Sequence, residues 1–338
     1  MSIFSVQNVM RLPIALLLLA TAPFGQSPAR QLSPQIPQDD AIRIREFYRL
    51  ADKIQNQIWP NWDKVPAPLM LVTENTEFLT HHPAPPKEFT KVDGGFYERP
   101  RQFPTALLAT FPAFGPPSVI VIGEPKNTES KTSTPWLVTL MHEHFHQLQN
   151  AQLDYYKGVE SLGLSHGDQS GMWMLNYAFP YENPQVAEGF GHLRDLLLTA
   201  VSEKDDVAFA KLAKQYASQR REFLAQLSAD DHKYFSFQIW QEGIARYTQI
   251  MAAETAVSYQ ASEEYKALPD FESFVAYAAR ARRETLDELK HADLAKGKRV
   301  VFYSFGGTEG LLLDRLDPKW KSEYFLRMFS TDSYFETQ

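Results

Sequence analysis

The pattern of apolar positions predicts a helix at the start of the globular part of the chain. Within residues 39–59, apolar side chains recur close to helical spacing, and Pro60 then ends the run. These apolar positions are Ile42, Ile44, Phe47, Leu50, Ile54 and Ile58. We therefore expect one amphipathic helix ahead of the next segment.

The segment that follows carries the strand-like runs of the chain. Short apolar stretches at 69–72, 106–111 and 118–122 are separated by clusters of Pro and Gly. Apolar runs of this length, bounded by turn residues, are typical of strands. We predict a small sheet in this region.

From Ser133 onward the pattern is helical. Ser133 or Thr134 can cap a helix whose first turn holds Pro135, and residues 136–151 contain no helix breaker. Further helices are predicted at 183–201, 205–227, 230–256, 270–291 and 303–316, with a short one after Pro318. A small sheet followed by many helices predicts an α+β fold, mostly α. Residues 39–132 and 133–338 are expected to form one compact catalytic unit.

Composition limits the function classes. The chain has 338 residues, 44% of them hydrophobic, which is enough for a large core. Its formal charge of -7 argues against nucleic acid as a partner, because phosphate binding needs clustered basic residues. There is no cysteine, so no disulfide can contribute to stability. Nothing in the composition indicates an oligomeric state.

The N-terminus predicts export. Residues 12–22 form an apolar run that is about half the length of a membrane span. This is typical of a signal peptide, placed at 1–28, and residues 29–38 then form a linker rich in Pro, Ser and Gln. We expect a secreted or periplasmic protein without a stable membrane anchor after cleavage; the alternative is an uncleaved N-terminal anchor.

The candidate chemistry lies in the segment MHEHFHQ, in which His142, Glu143 and His146 satisfy the HExxH pattern. Residues four apart share one face of a helix, so the two histidines can bind one metal ion. Glu143 can then take a proton from a water molecule activated by a Zn²⁺ ion. His144 is rotated by about 200° from His142, so we assign it a structural role.

A third ligand must come from elsewhere in the chain. Metzincins would have Gly and His where this chain has Gln149 and Gln152. Two Glu-Gly pairs remain, at Glu188 and Glu242. The helical wheel places Glu242 on a core-facing stripe and Glu188 on a solvated face, so we predict Glu242 as the third ligand of one zinc per chain.

Three short segments resemble the gluzincin metallopeptidases, specifically their aminopeptidase-N-like branch. Besides HExxH, the residues around Glu242 (WQEGIARY) are similar to the segment that supplies that branch's third zinc ligand. Tyr303 and Gly306 match its Tyr-x-x-Gly stretch. The resemblance implies a zincin-like helical domain, a peptide or amide substrate and an oxyanion-stabilising role for Tyr303.

Several alternatives remain open at this stage. Tyr247, Tyr156 or His232 could take the place of Tyr303, and residues 118–122 could be an edge strand that aligns the substrate. Glu288 and His291 form a second Glu-x-x-His, so a di-iron carboxylate bundle is a rival prediction. A catalytically inactive zincin-like binding protein is another.

Overall fold

The computed structural model describes residues 35–168 and 170–336, and the predicted signal peptide lies outside them. The observed fold is α+β and mostly helical, as the pattern predicts. The helix at the start, α1, spans Gln38–Ile58, one residue from the predicted bounds at each end. Pro60 ends it as expected, since a proline cannot continue the backbone hydrogen-bond ladder.

A six-stranded mixed sheet follows α1. Its strands lie in the order β3-β4-β2-β1-β6-β5, and only β1 and β6 are parallel. The strands are β1 (Leu69–Val72), β2 (Thr76–Thr80), β3 (Thr90–Lys91), β4 (Phe96–Pro100), β5 (Leu108–Phe111) and β6 (Val119–Gly123). The expectation that 118–122 is an edge strand is wrong, because β6 is paired on both sides and β5 forms the edge.

The two faces of the sheet pack against different parts of the chain. Leu69, Leu71 and Ile120 face the helices in the large core. Met70, Val72 and Val121 face a smaller core that the segment around Phe103 and Phe114 covers. Successive side chains along a strand point to opposite faces of the sheet, so neighbouring residues contribute to different cores.

Strands β2, β3 and β4 were not predicted. Charged residues interrupt the apolar pattern there, yet Glu77 and Arg99 are buried because they pair with each other, with Arg99 Nε 2.7 Å from Glu77 Oε2. A buried charge is tolerated when it is paired and hydrogen-bonded. Each charge has its partner on a different strand, so the sequence of either strand alone does not indicate that its charged residue is buried.

The remaining chain is a helical layer. The predicted helices occur, with bounds within a few residues of those expected, together with several short ones. They are α2 (Ser133–Asn150), α3 (Tyr155–Ser161), α4 (Trp173–Asn176), α5 (Pro184–Ser202), α6 (Asp206–Ala225), α7 (Ala229–Gln238), α8 (Ile244–Thr255), α9 (Glu263–Lys266), α10 (Phe274–Lys290), α11 (Leu294–Gly297), α12 (Val301–Leu316), α13 (Trp320–Glu323) and α14 (Ser333–Glu336).

One predicted helix differs in a way that matters for the site. The pattern predicts a continuous helix over 230–256, but a π-helical turn at Ile239–Gly243 separates α7 from α8. A π turn adds a residue to the helical repeat, so it rotates every later side chain relative to the earlier ones.

Helix α2 is fixed to the sheet at both ends. The Trp136 indole donates to the carbonyl of Gly123 at the end of β6. Near the other end, the Gln147 amide donates to the carbonyls of Pro68 and Ser118, which precede β1 and β6. The helix is therefore held in a defined position above the two central strands.

Within the described part of the chain, no helix combines the length and the apolar character needed to span a bilayer.

Candidate metal centre

The two histidines of HExxH lie one turn apart on α2 and face the same point. His142 Nε2 and His146 Nε2 are 3.1 Å apart, and both side chains are buried. Burial of two imidazoles side by side is unfavourable unless a ligand or a hydrogen-bond partner satisfies them.

Glu242 completes the cluster from the π turn. Its Oε2 atom lies 3.3 Å from His146 Nε2 and 3.8 Å from His142 Nε2. The carboxylate is therefore close to both histidine nitrogens, as the sequence predicts. π turns inside α-helices are often found at functional sites, because they place one side chain where a regular helix could not.

These separations fit a tetrahedral ion. Zinc bonds of about 2.0–2.1 Å to nitrogen and oxygen put neighbouring ligand atoms about 3.3–3.4 Å apart. His142, Glu143 and His146 also form a group able to hold a metal, with ligand atoms within 4.8 Å of one another. The Oε2 atom of Glu242, at 3.3 and 3.8 Å from the two imidazole nitrogens, lies inside that distance as well, so Glu242 and Glu143 are both candidate ligands by distance.

A glutamine joins the two ligand-bearing helices. Gln149 Oε1 lies 2.7 Å from His146 Nδ1 and can accept a hydrogen bond from this ring nitrogen, which would leave Nε2 for a metal; the Gln241 amide nitrogen lies 3.1 Å from the same Nδ1 atom. The Gln149 amide donates to the carbonyls of Trp240 and Gln241 at 3.0 and 3.1 Å. Partners of this kind orient a ligating histidine. Gln149 thus sets His146 relative to the turn that carries Glu242.

Charges at the site are strongly coupled. Burial disfavours protonated His146, but the nearby Glu242 carboxylate outweighs it and raises the pKa of His146 to about 9. Burial opposes ionisation of Glu242 too, yet His146 holds the Glu242 pKa well below its usual value. Burial lowers the pKa of His142. A metal must displace the proton on His146, so metal affinity falls as the pH falls.

Glu143 is held by the edge strand. Thr110 on β5 has its hydroxyl 2.7 Å from Glu143 Oε2 and 3.1 Å from the Glu143 carbonyl oxygen. Its single proton can go to only one of them at a time. The hydroxyl fixes the Glu143 side chain next to the ligands without neutralising it.

Tyr303 lies beside His142. Its ring is parallel to that of His142, with an interplanar angle of 5° and centroids 6.1 Å apart. Burial and the charge of Glu242 raise the pKa of Tyr303 far above its usual value. Arg299 Nη1 donates to the Tyr303 oxygen at 3.1 Å.

The position of Tyr303 depends on a close approach between two backbones. A Cβ atom placed on Gly243 would lie 2.5 Å from the Cα atom of Gly306, so α12 can cross the π turn only because both residues are glycine. Tyr303 precedes Gly306 by about one helical turn. This gives a physical reason for the Tyr-x-x-Gly spacing.

The alternatives to Tyr303 lie elsewhere. Tyr247 donates to the carboxylate of Asp314. The Tyr156 hydroxyl is 2.9 Å from that of Ser118. His232 pairs with Asp332, with its Nε2 atom 2.8 Å from Oδ2. None of these three contacts involves the cluster around His142.

The other sequence candidates do not join the metal centre either. Glu188 is exposed on α5. Glu288 faces Arg246 and exposed His291 contacts its own helix, so the described residues do not bring the two Glu-x-x-His pairs together. His144 packs against Trp62, its ring nitrogens lie 2.9 and 3.0 Å from glutamine amide oxygens, and burial lowers its pKa to about 4.

Sequence reasoning missed Thr110, Gln149 and Arg299. Thr110 and Arg299 come from segments that carry no motif, so only the tertiary structure brings them to the site. Gln149 is different, because it follows His146 by three residues and therefore lies on the same helical face. That spacing was a usable signal for a partner of the ligand.

Comparison of the chain with known protein families, curated proteins and solved structures finds no match.

The third ligand can be tested directly. Glu242→Ala is expected to weaken zinc binding by more than about 100-fold, because even partners outside the ligand set contribute 10- to 100-fold. Glu188→Ala is the matched control and should bind zinc like the wild type. Zinc content and affinity are measured by metal analysis and chelator competition, with circular dichroism to confirm folding. Full zinc retention by Glu242→Ala would refute the assignment.

Proposed function

We propose that the protein is a secreted or periplasmic zinc-dependent hydrolase, and specifically a divergent gluzincin-like metallopeptidase that cleaves peptide or amide bonds. The observation that carries this proposal is the convergence of His142 Nε2, His146 Nε2 and Glu242 Oε2, at separations of 3.1 to 3.8 Å, with Glu143 alongside. A zinc ion bound there would lower the pKa of a water molecule and polarise a substrate carbonyl.

Glu143 is the proposed general base. It accepts the proton of the attacking water and later delivers a proton to the leaving amine. The Thr110 hydroxyl, 2.7 Å from Glu143 Oε2, keeps the carboxylate from rotating away. A general base must be held within hydrogen-bonding distance of the proton that it accepts, and this contact helps to hold Glu143 in place.

Tyr303 is the proposed oxyanion donor. Its raised pKa keeps the phenol protonated, so it can donate to the negative charge that develops on the carbonyl oxygen. Arg299 donates to the same phenol oxygen and leaves the Tyr303 proton free for another acceptor. Arg299 thus brings a positive charge next to the proposed oxyanion donor.

The edge strand supplies a means to hold an extended substrate. β5 pairs with β6 on one side and with no strand on the other among the described residues. Because Thr110 of β5 touches Glu143, the free edge runs beside the base. An extended peptide can add to such an edge through main-chain hydrogen bonds. This replaces β6 as the proposed substrate-aligning strand.

Metal removal tests the proposal. The purified protein is screened on a library of quenched fluorescent peptides before and after treatment with a chelator. We expect hydrolysis that disappears on chelation and returns with about one equivalent of Zn²⁺. The reason is that the proposed mechanism depends on a water molecule activated by one zinc ion. Hydrolysis that survives complete zinc removal would contradict the proposal, and a zinc-loaded protein with no hydrolysis would favour the inactive binding protein.

A further inference from the structure

Arg299 is a cation with unused hydrogen-bonding capacity next to the metal centre. Its guanidinium carries five N–H donors, and one side-chain hydrogen bond is made, to Tyr303 at 3.1 Å. Among the described residues no carboxylate lies within ion-pair distance of Arg299, although the side chain is only partly exposed; burial opposes its charge, but the negative charge of Glu242 acts on it from further away and helps to raise its pKa. Most of its N–H donors therefore remain available, and an anionic group is the partner that a guanidinium prefers.

A cavity opens from the same side chain. Arg299 and Lys298 line a space of about 550 Å³ together with Tyr177, Tyr181 and Glu182. Lys298 adopts φ 48° and ψ −135°, a conformation that side chains other than glycine rarely take and that is found preferentially at binding sites. The cavity is large enough for amino-acid side chains. Arg299 lines this cavity and also contacts Tyr303, so it connects the cavity with the candidate metal centre.

The charge count favours a carboxylate. Glu143 and Glu242 bring two negative charges, which the two positive charges of a bound zinc ion would balance. Lys298 and Glu182, which also line the cavity, carry opposite charges. The guanidinium of Arg299 then remains as the unbalanced charge, and its planar fork matches a carboxylate better than any neutral group.

We infer that Arg299 binds a carboxylate of the substrate beside the metal centre, which makes peptides with a carboxylate close to the scissile bond the preferred substrates. The inference rests on the proposed function. The carboxylate can be the C-terminus of a peptide or the side chain of Asp or Glu, and the two sources call for different probes.

Binding to a zinc-loaded Glu143→Gln variant tests the inference without turnover. Calorimetry compares an acetylated alanine tetrapeptide with a free C-terminal carboxylate against its C-terminal amide. It also compares an amidated tetrapeptide carrying one glutamate with its glutamine counterpart. We expect one charged peptide to bind about 10- to 100-fold more tightly than its neutral counterpart, as for other charge-assisted contacts. The pair that shows the preference identifies the source.

Variants at the same background assign the preference to Arg299. Adding Arg299→Gln should remove the preference, because it lowers the affinity for the charged peptide more than the affinity for its neutral counterpart, and Arg299→Lys should keep part of it. Arg283→Gln, on the exposed face of α10, is the matched control and should keep all of it. A role of Arg299 in folding alone would weaken charged and neutral peptides equally.

Two results would overturn the inference: charged and neutral peptides that bind equally or not at all, or an Arg299→Gln change that lowers both affinities alike. The outcome is separable from that of the proposed function. A carboxylate preference in binding, without hydrolysis by the wild type, would refute only the peptidase assignment. Hydrolysis by the wild type without any such preference would refute only the role of Arg299 in binding a substrate carboxylate.

Discussion

Replacing Glu143 by glutamine is expected to lower kcat for peptide hydrolysis by about 10²- to 10⁴-fold, the range that a positioned acid or base contributes. The amide has nearly the same shape and can still contact Thr110, but it cannot accept the water proton. Zinc content should not change, because His142, His146 and Glu242 lie closest to one another and remain intact.

The measurement is steady-state kinetics on the best peptide, alongside metal analysis of the same sample. Glu188→Gln, at an exposed position of α5, controls for the loss of one carboxylate and should be as active as the wild type. If Glu143→Gln is inactive only because it has lost zinc, Glu143 is a ligand and not the base. If its turnover equals that of the wild type, the proton is accepted elsewhere.

The clustering of the candidate metal ligands could be predicted because its signal is largely local. His142, Glu143 and His146 lie within one turn of α2, and spacing alone determines that they share a region of space. Glu242 could be chosen over Glu188 from the apolar residues near it, although a regular helix was assumed. The π turn at Ile239–Gly243 could not be predicted, because the helix propensities of its residues do not distinguish a π turn from a regular α-helix.

The other half could not be predicted because its contacts are tertiary. Thr110 reaches Glu143 from a strand that the sequence did predict, but strand order decides that it lies at the edge. Arg299 belongs to the basic stretch KGKR, which is typical of a solvated surface. Only the crossing of α12 over the π turn, at Gly243 and Gly306, brings that stretch next to the metal ligands.

A second large effect is expected far from the metal ligands, at a buried ion pair. Arg220 on α6 donates from Nε to Glu309 on α12 at 2.7 Å and from Nη1 to Asp332 at 2.7 Å, so it joins two helices to the C-terminal segment. Arg220 and Glu309 are almost fully inaccessible to solvent. Arg220→Met leaves the Glu309 carboxylate buried without its cation, which should lower the free energy of unfolding by about 3–5 kcal/mol.

The expected loss is read from urea unfolding followed by circular dichroism and tryptophan fluorescence. A double variant, Arg220→Met with Glu309→Leu, should be more stable than the sum of the single changes implies, because it removes both charges together. Arg45 and Glu264 form an exposed pair at 3.0 Å, so Glu264→Gln should cost less than about 1 kcal/mol. Equal losses from the buried and exposed changes would mean that the hydrogen bonds from Tyr216 and Thr331 satisfy the Glu309 carboxylate without Arg220. The stability of α12 matters for the site as well, since the same helix carries Tyr303.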